Sequence, residues 1–301
     1  MQRRRILMRE FVDLKTINHP HPGVIEEHGY LIRDRKHLFY ASYLPRGAAD
    51  RGIILVSPFG EEKVRTLRIY VSLSRALALL GMSVLYFDYY GDGDSEGDFA
   101  DASFGDRLED IKAAGDYLRG KTGMQKVGLL GLRWGATLAA LVSREMAPEF
   151  LILWEPIIDT DRYFFDHLRS NIASQMILEG KVVKNREALV EELEAGGSIS
   201  VEGYTIDGGF FVEARKNGLL GKSFAYDGKT LIIQISRNTE KIRHELSELK
   251  NAFGSAELAA VSKEFEWEKT ETWNPAPAEL FNSTFDFLVR NGFLRAGTEP
   301  A

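Results

Sequence analysis

Five apolar runs of strand length constrain this chain more than any other feature. They lie at 52–57, 83–88, 126–131, 150–154 and 230–235, and the first three each lead into a helical stretch. Runs this continuous, with no polar residue every second position, suit strands covered on both faces. Helix-spaced apolar positions follow at about 64–80, 104–119 and 136–146, the first stopped by Gly81. Strands alternating with helices of that length imply parallel pairing through right-handed crossovers. The fold class expected is therefore α/β: a mostly parallel central sheet with helices on both faces.

Residues 28–44 read differently, as an antiparallel pair around the polar turn 34–36. From 157 to 222 the strand–helix rhythm breaks, with helical stretches near 163–178 and 186–194 and glycine pairs at 196–197 and 208–209. A segment of that length between two sheet strands reads as an inserted cap rather than a loop. After the fifth run come a helix near 241–253, a strand at 262–267 and an amphipathic helix at 278–289. The division expected is an extension at 1–27, a core formed by 28–156 and 223–294, a cap at 157–222 lying over the carboxyl ends of the strands, and a tail at 295–301.

Composition narrows the function classes. A net charge of −6 argues against nucleic acid, which selects a basic face; the run Arg3-Arg4-Arg5 reads as a solvated tail. The absence of cysteine removes disulfides, thiolate metal sites and a thiol nucleophile. Glu10 and Asp13 come too early for a signal peptide, and no apolar run approaches the length of a membrane span. The expectation is a soluble, cytoplasmic protein without cofactor or metal. Its oligomeric state is not legible.

Strand, Gly131-Leu132-Arg133-Trp134-Gly135, helix is the layout of a nucleophile elbow, G-x-S-x-G. The glycines permit the strained turn that lifts the central side chain above the sheet. Two further motifs accompany it. Ser57-Pro58-Phe59-Gly60-Glu61-Glu62 follows the first strand, and the stretch 88–97 reads Asp-Tyr-Tyr-Gly-Asp-Gly-Asp-Ser-Glu-Gly. With these three motifs the chain resembles the serine-aminopeptidase-like branch of the α/β hydrolases. The first additional motif stands where that branch has His-Gly-x-Gly-Glu, and the second matches D-x-R-G-x-G-x-S-x-G with Tyr90 replacing the arginine. Trp154-Glu155-Pro156 and the segment after it also resemble the exosortase A system-associated hydrolase-like proteins of bacteria.

The resemblance implies a serine at the elbow, an acid after a later strand and a histidine after the last one. Here Arg133 holds the nucleophile position, and a guanidinium stays protonated and cannot attack an acyl carbon. None of the six histidines follows Trp267; 272–274 reads Thr-Trp-Asn. The acid loop offers only Glu240. Other candidates have simpler readings: Ser95 as a turn residue, His244 as a surface histidine, His19 and His21 as a pair lacking a third metal ligand, and Asp92, Asp94, Glu96 and Asp98 as a solvated acidic loop without calcium-loop spacing.

The resemblance also places an oxyanion pair at the N–H groups of Phe59 and Trp134. A cation at the start of a helix opposes the helix dipole, so Arg133 is expected to meet Glu61, Glu62, Asp94 or Glu155, or an anionic ligand. The favoured function is a non-hydrolytic pocket protein for a small molecule, an anion being the class that suits Arg133. Alternatives are an ester, thioester or amide hydrolase using other residues, and a structural partner in a bacterial cell-envelope or exopolysaccharide system.

Overall fold

The computed structural model describes residues 19–268 and 276–295. An eight-stranded sheet forms its centre, in the order β1-β2-β4-β3-β5-β6-β9-β10. The strands are β1 (Val24–Arg33), β2 (Lys36–Pro45), β3 (Arg51–Val56), β4 (Ser83–Phe87), β5 (Lys126–Leu132), β6 (Phe150–Trp154), β9 (Lys229–Ser236) and β10 (Ala256–Ser262). β1, β2 and β4 pair antiparallel, and every other pairing is parallel.

Both faces of the sheet are covered, which is why its strands are apolar throughout. In β3, Ile54 and Val56 enter one core while Ile53 and Leu55 enter the other. Helices α2 (Phe104–Thr122), α3 (Trp134–Met146) and α8 (His244–Ala252) supply the first; α1 (Glu61–Leu79) and α9 (Ala278–Arg290) supply the second.

Between β6 and β9 lie α4 (Thr160–His167), α5 (Arg169–Leu178), α6 (Arg186–Glu194), the hairpin β7 (Ser198–Val201)–β8 (Tyr204–Asp207) and α7 (Gly208–Lys216). These elements meet the carboxyl edge of the sheet: Phe164 and Phe210 pack on Phe59, in the turn after β3.

Three sequence expectations shift. β1 begins at Val24, so the sheet takes in the end of the extension expected over 1–27. The last strand is Ala256–Ser262, not 262–267; the stretch expected as a strand leaves the sheet and buries Phe265 and Trp267 against the α9 side. The hairpin and α7 stand where only glycine pairs were legible; Asp207 starts α7 by accepting from the N–H groups of Gly209 and Phe210.

At the elbow, α3 comes so close to β3 that a Cβ on Gly135 would lie 2.3 Å from the Val56 carbonyl oxygen, and one on Gly131 would lie 2.4 Å from that of Gly135. Arg133 between them takes φ 56°. Because the obstructing atoms are backbone, Gly135→Ala should destabilise at the upper end of the ~1–3 kcal/mol range for overpacking. Urea unfolding measures it; a cost under about 0.5 kcal/mol would contradict this packing.

Candidate functional site

Arg133 caps the N-terminus of α3 and projects above the sheet. Its Nη2 donates to Glu62 Oε1 at 3.0 Å, and its Nε lies 3.3 and 3.4 Å from the two Glu62 oxygens. Glu62 is in the first turn of α1, directly after the Phe59–Gly60 turn. Both side chains are largely buried, at 16% and 10% exposure. Burial opposes the charge on Arg133, but Glu62, with Tyr163 and Glu155 behind it, more than offsets that and raises the guanidinium pKa.

Rings enclose the pair. The Arg133 Cζ lies 5.0 Å from the Trp267 ring centroid and 5.6 Å from that of Tyr163. Trp267 comes from the segment after β10, where the resembling family carries its histidine. The Thr272, Trp273 and Asn274 stretch lies outside the described residues.

The other acids named from sequence do not reach Arg133 as partners. Glu61 accepts from the Tyr204 hydroxyl at 3.4 Å and lies 3.8 Å from Arg65. Asp94 is exposed, and its N–H donates to Asp88 Oδ2 at 3.0 Å. Glu155 is buried but accepts from the Ile235 N–H at 2.7 Å and from Arg243 Nη2 at 2.6 Å. Desolvation raises its pKa against those two contacts. Glu240 is exposed, and its N–H turns back to Asn238 Oδ1. Phe59 and Trp134, whose N–H groups form the expected oxyanion pair, touch through their rings at 5.3 Å.

The stretch 88–97 is an anchored loop. Ser95 Oγ donates to the Asp88 carbonyl at 2.7 Å and accepts from the Phe39 N–H at 2.8 Å, so it is committed to backbone. Asp88 and Asp92 hold the buried Lys63 at 2.7 and 3.2 Å. Glu96 pairs with His37, and His244 is a surface residue 85% exposed. Among the described residues no group of three His, Asp or Glu side chains is placed to hold a metal.

Sequence reasoning missed the residues that the segment between β6 and β9 contributes. His167 stacks on Tyr163, meets the Phe59 ring at 5.3 Å and points Nε2 at Glu202, 3.8 Å away. Burial lowers its pKa despite the nearby Glu202 and Glu62 carboxylates. Only the helical periodicity of 163–178 hinted that such side chains would face the sheet edge.

A central parallel sheet with an elbow between β5 and α3, its mouth closed by a turn after β3, is the α/β-hydrolase fold. A family model described as serine aminopeptidase, S33 matches residues 45–244, and the chain belongs to that family. No curated protein matches the chain. Among solved structures it is similar to Est1E of Butyrivibrio proteoclasticus with ferulic acid bound, at 17% identity over 85% of this chain and 97% of that one, with a TM-score of 0.60. Mouse α/β hydrolase domain-containing protein 10 gives 18% identity, coverage of 88% and 99%, and a TM-score of 0.57. An α/β serine hydrolase without lid from Xanthomonas campestris gives 14%, 93% and 100%, and 0.57.

Two outcomes are expected here. Arg133→Ala leaves the Glu62 carboxylate buried and unpaired, so it should destabilise by roughly 3–5 kcal/mol. Arg133→Met combined with Glu62→Gln removes both charges and should recover most of that loss in urea unfolding; additive losses would refute the pairing. His167 sets an acid limb. Its folded pKa lies below the ordinary value of about 6.5, so the folded state binds fewer protons than the unfolded state just below that value. Its contribution is therefore fully present above pH ~6.5 and lost as pH falls from there toward the folded pKa. His167→Phe should flatten the fall in stability across that window.

Proposed function

We propose that this chain is a non-hydrolytic member of its esterase-like family, a pocket protein for a small molecule. One observation carries the reading: the nucleophile position is filled by a guanidinium locked to Glu62 at 3.0 Å. Acyl transfer needs a hydroxyl or thiol activated by a neighbouring base. Arg133 supplies a fixed cation instead, and Trp267 covers it from the side where a histidine is expected. Ser95, in the loop after β4, has its hydroxyl bonded to backbone on both sides.

The aromatic enclosure supports a pocket role, since small-molecule sites are mostly apolar with a few fixed polar groups. The segment between β6 and β9 serves as the cap that closes it. The same reading keeps the chain with the exosortase A system-associated subgroup, on the strength of Trp154-Glu155-Pro156 and the cap after it. Among the described residues no helix is long and apolar enough to cross a membrane.

Purified protein should remain unlabelled by a fluorophosphonate and should hydrolyse short nitrophenyl esters no faster than background. Arg133→Ser alone should create no activity, because a hydroxyl without a base stays unactivated. Stoichiometric labelling of any serine in the natural chain would overturn the proposal.

A further inference from the structure

Arg133 is not the only guanidinium near the elbow. Arg107, in the first turns of α2, is 1% exposed, and its Nε, Nη1 and Nη2 are all buried with no hydrogen-bond partner among the described residues. Its Cζ lies 5.0 Å from the Tyr89 ring centroid, 4.9 Å from Phe99 and 6.0 Å from Phe210. The acids around it are committed elsewhere: Asp110 accepts from Arg33 Nε and the Tyr90 N–H, and Asp106 from Arg33 and Lys36.

Two more buried donors have no partner among the described residues: the hydroxyl of Tyr89, whose ring Arg107 faces, and the indole Nε1 of Trp134, linked to Arg107 through Phe210. Phe210 joins these groups, its ring being 5.8 Å from that of Trp134 and 5.7 Å, stacked, from Phe59. A fully buried cation with five N–H donors and no acceptor is costly, and ring faces offset only part of that cost. A planar carboxylate matches a guanidinium fork bidentately, while aromatic walls suit an apolar body.

We propose that Arg107 is the anion-recognition residue of the pocket and that the ligand is a hydrophobic monocarboxylate, seated among Tyr89, Phe99, Trp134 and Phe210. One carboxylate suffices, because a single guanidinium fork pairs with one carboxylate bidentately. The inference rests on the pocket reading above and names its ligand class. Phe210 belongs to α7, so entry requires the cap to move away from the sheet edge.

The test uses the full chain with 3-phenylpropionate as probe and 3-phenylpropan-1-ol as its uncharged counterpart, read by calorimetry and by the indole N–H resonance of Trp134. The acid should bind at least about tenfold more tightly than the alcohol and should shift the Trp134 resonance. Arg107→Met should abolish that preference. Arg107→Lys, which keeps the charge but not the fork, should weaken acid binding about tenfold or more. The combined Arg133→Met, Glu62→Gln variant should bind the acid as the natural chain does. No binding of the acid, equal binding of acid and alcohol, or loss on changing residue 133 rather than 107 would each overturn the proposal. If Arg107→Met does not fold, unchanged affinity in Arg107→Lys overturns it. These outcomes are independent of serine labelling, so a failed anion site and a failed non-hydrolytic reading can be told apart.

Discussion

The approach of α3 to β3 at Gly135 sets the rest of the carboxyl edge. With no room for a Cβ against the Val56 and Ser57 carbonyls, the chain turns sharply, and residue 133 is held at φ 56° and ψ −124°. A side chain there stands at a helix N-terminus, where the dipole disfavours a cation. α1 begins nearby, after the Phe59–Gly60 turn, with Glu61 and Glu62 in its first turn. A carboxylate in that position is favoured by its own helix and needed by its neighbour. The Arg133–Glu62 pair is therefore what two converging helix starts require once a cation occupies the elbow.

That pair decides what else can gather there. Guanidinium faces accept aromatic rings, and both available rings come from distant segments, Tyr163 from α4 and Trp267 from beyond β10. His167, one helical turn beyond Tyr163, is drawn into the same dry layer, which favours its neutral form. The carboxyl edge thus becomes an apolar enclosure around a neutralised ion pair, a medium in which any further unpaired charge is strongly felt.

Much of this was legible from residue order. The buried runs identify β3, β4, β5, β6 and β9, because a strand covered on both faces has no polar alternation to hide it. Arg133 follows from glycine spacing, and the acids after Gly60 follow from the need for a counter-charge. The missed strand failed for a physical reason. Ala256–Ser262 reads Ala-Glu-Leu-Ala-Ala-Val-Ser, rich in helix formers, and is extended only because β9 offers it a parallel edge.

The sequence left the partner of Arg133 open among Glu61, Glu62, Asp94 and Glu155, because proximity in sequence says nothing about who takes a carboxylate first. The loop carrying Asp94 is fixed by Asp88 and Lys63, which leaves Asp94 outside; Glu155 is captured by the Ile235 N–H and Arg243. Arg107, Tyr163 and His167 were invisible for a different reason: each lies on an ordinary helix whose pattern shows which face is buried but not against what.

The two guanidiniums show how far a charge census can mislead. Arg133 draws attention because it breaks a motif, yet its charge is settled within the chain by Glu62. Arg107 breaks no motif, and its charge is not settled. Ring faces contribute on the order of 2 kcal/mol to a desolvated cation, against an effective burial penalty of several kcal/mol per ion. With Asp106 and Asp110 held by Arg33, the deficit at Arg107 remains open. An anion entering this enclosure gains most at the cation with the least compensation. On the proposed reading, the elbow arginine closes the family's hydrolytic position, and recognition of a carboxylate would fall to the helix beside it.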